Sequence, residues 1–271
     1  MSTLPTSSAT NFCKAFIERQ LEEFKTEQIW MSSWDTMSRL IERSEEMTDA
    51  YEELIARFGF SDVRDPFANQ ESKEAIWLIL EHIWSGHDYS LESVNQAKAE
   101  LKALRQIDHK VSELSQELSA ALQEQEILYE QSGFSRANYQ SIPALLELAG
   151  SNNPRYSGYV SKAIKPLSGQ FDLRYWPDRS EMVSAIAEFE QSLDSPTHYI
   201  FTDEVLNGRE SVAKDFVISF DKSFEMGNQL PDDFRFSNKA MAAILNVVLN
   251  IDAEHLCDDT NVRIIRHRYN L

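Results

Sequence analysis

The sequence predicts a mainly α fold. An N-terminal bundle of long antiparallel helices, coiled-coil-like in pattern, is expected over residues 1–132. A compact, mostly helical region with at most a small β element is expected over 133–271. Three observations point there. Glycine is scarce, with 8 in 271 residues, where average usage is about 7%. Two stretches, 6–58 and 87–132, contain neither Gly nor Pro. Within them apolar residues recur in steps of 3 and 4, the repeat of one helix face.

The first stretch carries Phe12, Phe16 with Ile17 beside it, Leu21 and Phe24, then Trp30, Trp34, Met37 and Ile41, then Met47, Tyr51, Leu54 and Phe58, the last two groups stepping strictly by 3 or 4. The phase slips between groups, so one very long helix or two end-to-end helices are expected. Gly59 is placed to follow the last turn, with Pro66 beyond it. "SKEAIWLILEHIW" forms a shorter helix, which "SGHDYS" breaks.

In the second stretch Leu104, Ile107, Val111, Leu114 and Leu118 step by 3, 4, 3, 4. That is the a/d seam of a heptad. The strict pattern lasts little over two repeats. Its more frequent use is the inner face of an antiparallel bundle, and its rarer use is self-pairing between copies. Either way these five residues are the candidate partner-binding face.

From about residue 133 the texture changes. Prolines at 143, 154, 166, 177 and 196 shorten the elements. "SIPALLELAG" reads as a short helix. "FDLRYW" and "THYIFT" have strand-like composition. Between them "PDRSEMVSAIAEFEQSL" is an amphipathic helix with Met182, Ile186 and Phe189 on one face, capped by Asp178 or Ser180. "SVAKDFVISFDKSF" is a helix or a strand. "SNKAMAAILNVVLN" is a helix with Ser237 as N-cap.

The final segment, "DDTNVRIIRHRYNL", is a helix capped by Asp259 or Thr260, with Val262, Ile265 and Tyr269 on its buried face. Arg263, Arg266, His267 and Arg268 crowd its end. Cations there complement the helix dipole, so the structural reading leads. The alternatives are contact with nucleic acid or docking of an acidic protein partner. About nine residues separate this helix from the one before it, where a helix-turn-helix has three or four.

Charge narrows the function classes. The chain carries −18 net, of which −13 falls in residues 1–131 (12 Lys/Arg against 25 Asp/Glu) and −5 in 132–271 (14 against 19). Such a surface disfavours non-specific binding to nucleic acid or anionic lipid. The acidic half imitates duplex phosphates in charge, but charged helix faces are usually only solvated. Two cysteines, Cys13 and Cys257, give no disulfide framework. There is neither a signal-like N-terminus nor an apolar run of membrane-spanning length, so a cytoplasmic location is expected.

Chemical motifs are sparse. No G-x-G-x-x-G, Walker A loop or G-x-S-x-G occurs, so no cofactor is expected. "IDAEHLCDD" gathers His255, Cys257 and several carboxylates, and "EHIWSGHD" offers Glu81, His82, His87 and Asp88. Neither has the paired spacing of a zinc site, so no metal is expected. Basic and aromatic residues alternate in 153–179, from Arg155 and Tyr156 to Trp176 and Arg179, with a net charge of only +3. Stacking on single-stranded bases is one use of that pattern. Closing a small core is the commoner one. The leading expectation is a non-enzymatic helical interaction or regulatory protein, a subunit or adaptor working through a protein partner or as a homo-oligomer. The alternatives are a nucleic-acid-binding regulator using the C-terminal arginines, and an enzyme with a carboxylate/His site that no motif exposes.

Overall fold

A computed structural model describes residues 4–60, 71–135, 141–225, 230, 231 and 233–271. The fold is mainly α, as expected, and no strand occurs among the described residues. Twelve α-helices follow in chain order among those residues: α1 Ala9–Glu27, α2 Trp34–Glu42, α3 Thr48–Phe58, α4 Glu71–Trp84, α5 Leu91–Gln131, α6 Ile142–Gly150, α7 Ser161–Ile164, α8 Arg179–Ser192, α9 Asp203–Leu206, α10 Val212–Ser223, α11 Asn238–Val248 and α12 Asp259–Tyr269. The strand-like "FDLRYW" holds a 3-10 turn, Leu173–Tyr175, and "THYIFT" has no regular structure. Short apolar runs between prolines carry strand composition without a neighbour to pair with.

The first Gly- and Pro-free stretch is three helices rather than one or two. The slips in apolar phase mark the breaks. At the first break Gln28 and Trp30 take left-handed backbone, with φ of 56° and 49°. The Trp34 indole N–H donates to the Ile29 carbonyl at 3.0 Å and holds the corner. At the second, residues 43–47 turn without a glycine. Gly59 ends α3 at φ 73°, its N–H bonded to the Ile55 carbonyl. Pro66 lies outside the described residues.

The compact units do not follow the expected 132/133 boundary. One unit comprises Met1–Leu101 with Thr197–Leu271, and the other is Lys102–Pro196. In the first, α1 packs on α2 and α3, and α11 packs on α2, α3 and α12. The two ends of the chain therefore share one core, which Phe12, Phe16, Phe24, Leu54, Trp84 and Phe216 help to fill. Arg39 donates to the carbonyls of Val247 (3.4 Å) and Val248 (2.7 Å) at the end of α11. The Val247 carbonyl also accepts from the Asn250 N–H at 3.2 Å, and a cation suits the negative end of the helix dipole. Gly86 lies between α4 and α5 where a Cβ would meet Val248 at 3.2 Å and Phe216 at 3.3 Å, a tight contact that those side chains would have to yield to.

The second unit is built differently. The 41-residue α5 leaves the first unit at Leu101 and continues as the spine of the second. Side chains join it to α8. Ser119 donates to the Ser180 carbonyl at 2.8 Å, and Gln191 donates to Ser112 at 3.0 Å. Arg179 reaches Gln125 and Glu126, both at 3.4 Å. Rising numbers on α8 meet falling numbers on α5, so the pair is antiparallel. Asp178 caps α8 and Glu181 returns the bond to the Asp178 N–H, a complete capping box. Between these helices lie α6, a π-helical turn at Tyr156–Val160 and α7.

Candidate interaction surface

The half-buried stripe of α5 on this side is mostly polar, with Ser112, Ser115, Ser119 and Glu126, and includes Leu122. The a/d seam is on another face. Leu104, Ile107, Val111, Leu114 and Leu118 are exposed, at 37% to 57%. The expectation that this seam is the inner face of a bundle is corrected, because no described element of the chain covers it. Helix α8 repeats the arrangement. Ser180 and Ala187 are buried, while Ile186, Phe189 and Leu193 are exposed.

The contrast between units is sharp. Among the described residues, every member of the contiguous apolar core belongs to the first unit, while the second buries Ile142 and Ala187 apart from it. Seventeen of their twenty-three exposed large hydrophobic residues belong to the second, which is the smaller. An exposed Leu is ordinary by itself. A concentration of aligned apolar residues on a helix pair is the mark of a contact surface.

The basic–aromatic stretch does not close a small core. Tyr159 and Tyr175 are exposed at 84% and 72%, and Phe171 is exposed too. Its cations are drawn to neighbouring carboxylates: Arg174 pairs with Asp172 at 3.1 Å and Arg179 with Glu126 at 3.4 Å. The Tyr156 hydroxyl donates to Glu147 at 3.0 Å. A methyl group on Gly150 would overlap the Tyr156 ring.

The C-terminal cations part company. Arg266 is turned inward. Its Nε donates to Asp221 Oδ2 at 2.7 Å and its Nη2 to Oδ1 at 2.9 Å. Its Nη1 serves the Phe236 carbonyl at 2.8 Å and Asn238 at 2.9 Å. Asp221 is buried, so this fork closes a paired charge inside the fold. Arg263, His267 and Arg268 are exposed. The cap of α12 is Asp258, which accepts from the Asn261 N–H at 2.8 Å, rather than Asp259 or Thr260. Val262 is fully buried, and Ile265 and Tyr269 pack against the core.

Sequence reasoning missed one polar cluster. His82 Nε2 lies 2.6 Å from the Ser223 hydroxyl and 3.2 Å from the Phe220 carbonyl. Tyr89 and the rings of Phe220 and Phe224 surround it. Burial drives the His82 pKa down to about 4, the Phe220 carbonyl opposing, and burial lifts Tyr89 to about 12. The imidazole is therefore neutral at pH 7 and sits in apolar packing. No motif spacing exposes this, because Ser223 is 141 residues away. His87, five residues on, bonds the Trp84 carbonyl. In "IDAEHLCDD" His255 is exposed, and Cys257 is held by Asn246 through two backbone bonds of 2.8 and 2.9 Å. Burial raises the pKa of both cysteine thiols, Cys13 furthest. Among the described residues no group of three His, Cys, Asp or Glu is placed to hold a metal ion, and no helix is long and apolar enough to cross a membrane. Comparison of the chain with known protein families, with curated proteins and with solved structures finds no match.

Proposed function

We propose that this protein works by protein–protein contact and that residues 102–196 are its docking unit. The observation that carries the reading is the exposed a/d seam of α5, in a unit whose described residues lie outside the contiguous apolar core. An amphipathic helix presents anchors at i, i+3 and i+7 to a matching apolar surface. Burying one Leu, Ile or Val is worth roughly 1.5–3 kcal/mol, and five such anchors stand in line. A subunit or adaptor role fits this better than catalysis. The His82–Ser223 cluster is closed off by aromatic rings, so a substrate does not reach it.

The test is Val111→Asp, alone and with Leu118→Asp. Both positions are exposed, so circular dichroism and melting temperature should stay near those of the parent. The size of the native assembly, measured in extracts of the host, should fall to that of the free chain. Unfolding of the variant would place the seam inside the fold and end this reading, as would a parent that already runs as a free chain.

A further inference from the structure

We infer that the partner on the α5 seam is a second copy of this chain, docked antiparallel so that the two α5 seams pair. The inference rests on the docking role proposed above and names the occupant.

Helix phase supplies the first argument. Each residue turns an α-helix by about 100°. The bonds Ser119–Ser180 and Ser112–Gln191 fix which faces of α5 and α8 meet. With that contact set and the helices antiparallel, the a/d seam of α5 points to one side of the pair. Nine residues separate Ser180 from Phe189, so Phe189 sits on the face of α8 turned away from α5, with Ile186 beside it. The surface offered to a partner on the seam side of the pair is therefore the α5 seam itself.

Charge supplies the second argument and chooses the occupant. With Leu104, Val111 and Leu118 at a, the exposed Lys110 and Glu117 both occupy g. In an antiparallel pairing g faces g. A twofold axis passing α5 between Ser112 and Glu113 sets Val111 against the copy's Leu114 and Ile107 against its Leu118. It also sets Lys110 against the copy's Glu117, and symmetry makes that pair twice. A parallel pairing sets g against e. It would give Lys110 with Ser115 and Glu117 with Leu122, leaving both charges unmatched. The antiparallel twofold is therefore the self-complementary choice.

Sedimentation equilibrium of the full chain tests this. The parent should be a dimer at tens of micromolar. Lys110→Glu sets carboxylate against carboxylate at both sites, and Glu117→Lys sets ammonium against ammonium. Each variant should raise the dimer Kd by roughly tenfold or more with unchanged circular dichroism. Mixing the two variants one to one should restore the dimer, since opposite charges again face each other across both g–g sites of the mixed pair. Only the antiparallel pairing predicts that rescue. A monomeric parent overturns the inference, and so does a dimer indifferent to either charge reversal or a mixture that stays monomeric. Binding of an apolar dye separates the two levels of failure. A monomeric parent whose dye binding drops in Val111→Asp keeps the docking surface and rejects only the second copy. A monomer without seam-dependent dye binding rejects both.

Discussion

Arg266 shows how far a residue's role departs from its sequence neighbourhood. Four basic residues stand within six positions of the tail, yet among the described contacts only Arg266 is engaged by a buried carboxylate. Removing one member of a buried pair leaves the other charge uncompensated, at a cost of about 3–5 kcal/mol. Arg266→Ala should therefore lower the melting temperature steeply. Arg263→Ala and Arg268→Ala should change stability by less than about 0.5 kcal/mol. Thermal unfolding of the three single variants checks the ordering, and equal effects would contradict it. The tail's helix and its apolar face are legible from residue type and spacing. The Arg266 fork is not, because Asp221 lies 45 positions away in another helix. His82 gives a second prediction at this scale. Its folded pKa, about 4, lies below the unfolded value near 6.5. Between those values the unfolded chain binds the extra proton. Its contribution is present above about pH 6.5 and is lost as pH falls through about 4, some 3 kcal/mol in all. Denaturant titrations from pH 7 to 4 should show a smaller decline in His82→Gln than in the parent. Parallel curves would mean that other groups dominate this window.

Elements are legible where their signals are local. The phase slips at residues 28–30 and 43–47 are visible in the sequence, but their depth is not. The left-handed turn falls on Gln28 and Trp30, residue types that seldom mark a break. The heptad of α5 is equally plain, while the identity of its cover is not. Periodicity says that a face is apolar and is silent on what packs there. Helix α8 offers a clean test of local determination. Its start depends on the Asp178–Glu181 capping box, and hydrogen bonds from Ser180 and the Glu181 N–H hold the Asp178 carboxyl below its usual pKa range. Asp178→Ala should cost about 1 kcal/mol. Since Arg179 and Ser180 are the residues that bond α5, the same change should loosen the end of the α5–α8 pair. Loss of helical signal with unchanged hydrogen exchange at 112–126 would separate the cap from the pairing.

At the scale of the molecule, chain order misleads. Periodicity groups neighbours in sequence, so it joins 1–132 into one bundle. The core instead joins α1–α4 to α10–α12 and leaves 102–196 outside it. That division has an energetic consequence. Opening free energies range from near zero to the global stability, and they track buried apolar packing. Amides of α1, α4, α10 and α11, lined by residues such as Phe16, Trp84, Phe216 and Leu245, should exchange only through global unfolding, typically about 5–15 kcal/mol uphill. Amides of 155–171, whose side chains are half-buried or exposed, should exchange orders of magnitude faster. The lower half of α5 lies between these limits, and what covers its seam decides where. If two copies close over Leu104–Leu118, protection of amides 104–121 should rise with protein concentration from low to high micromolar, while protection in α1 and α4 stays constant. Lys110→Glu should abolish that rise. Exchange read by mass spectrometry at two concentrations provides the measurement. Uniform protection across the chain would contradict the two-unit division, and concentration-independent exchange at 104–121 in the parent would contradict the paired seam.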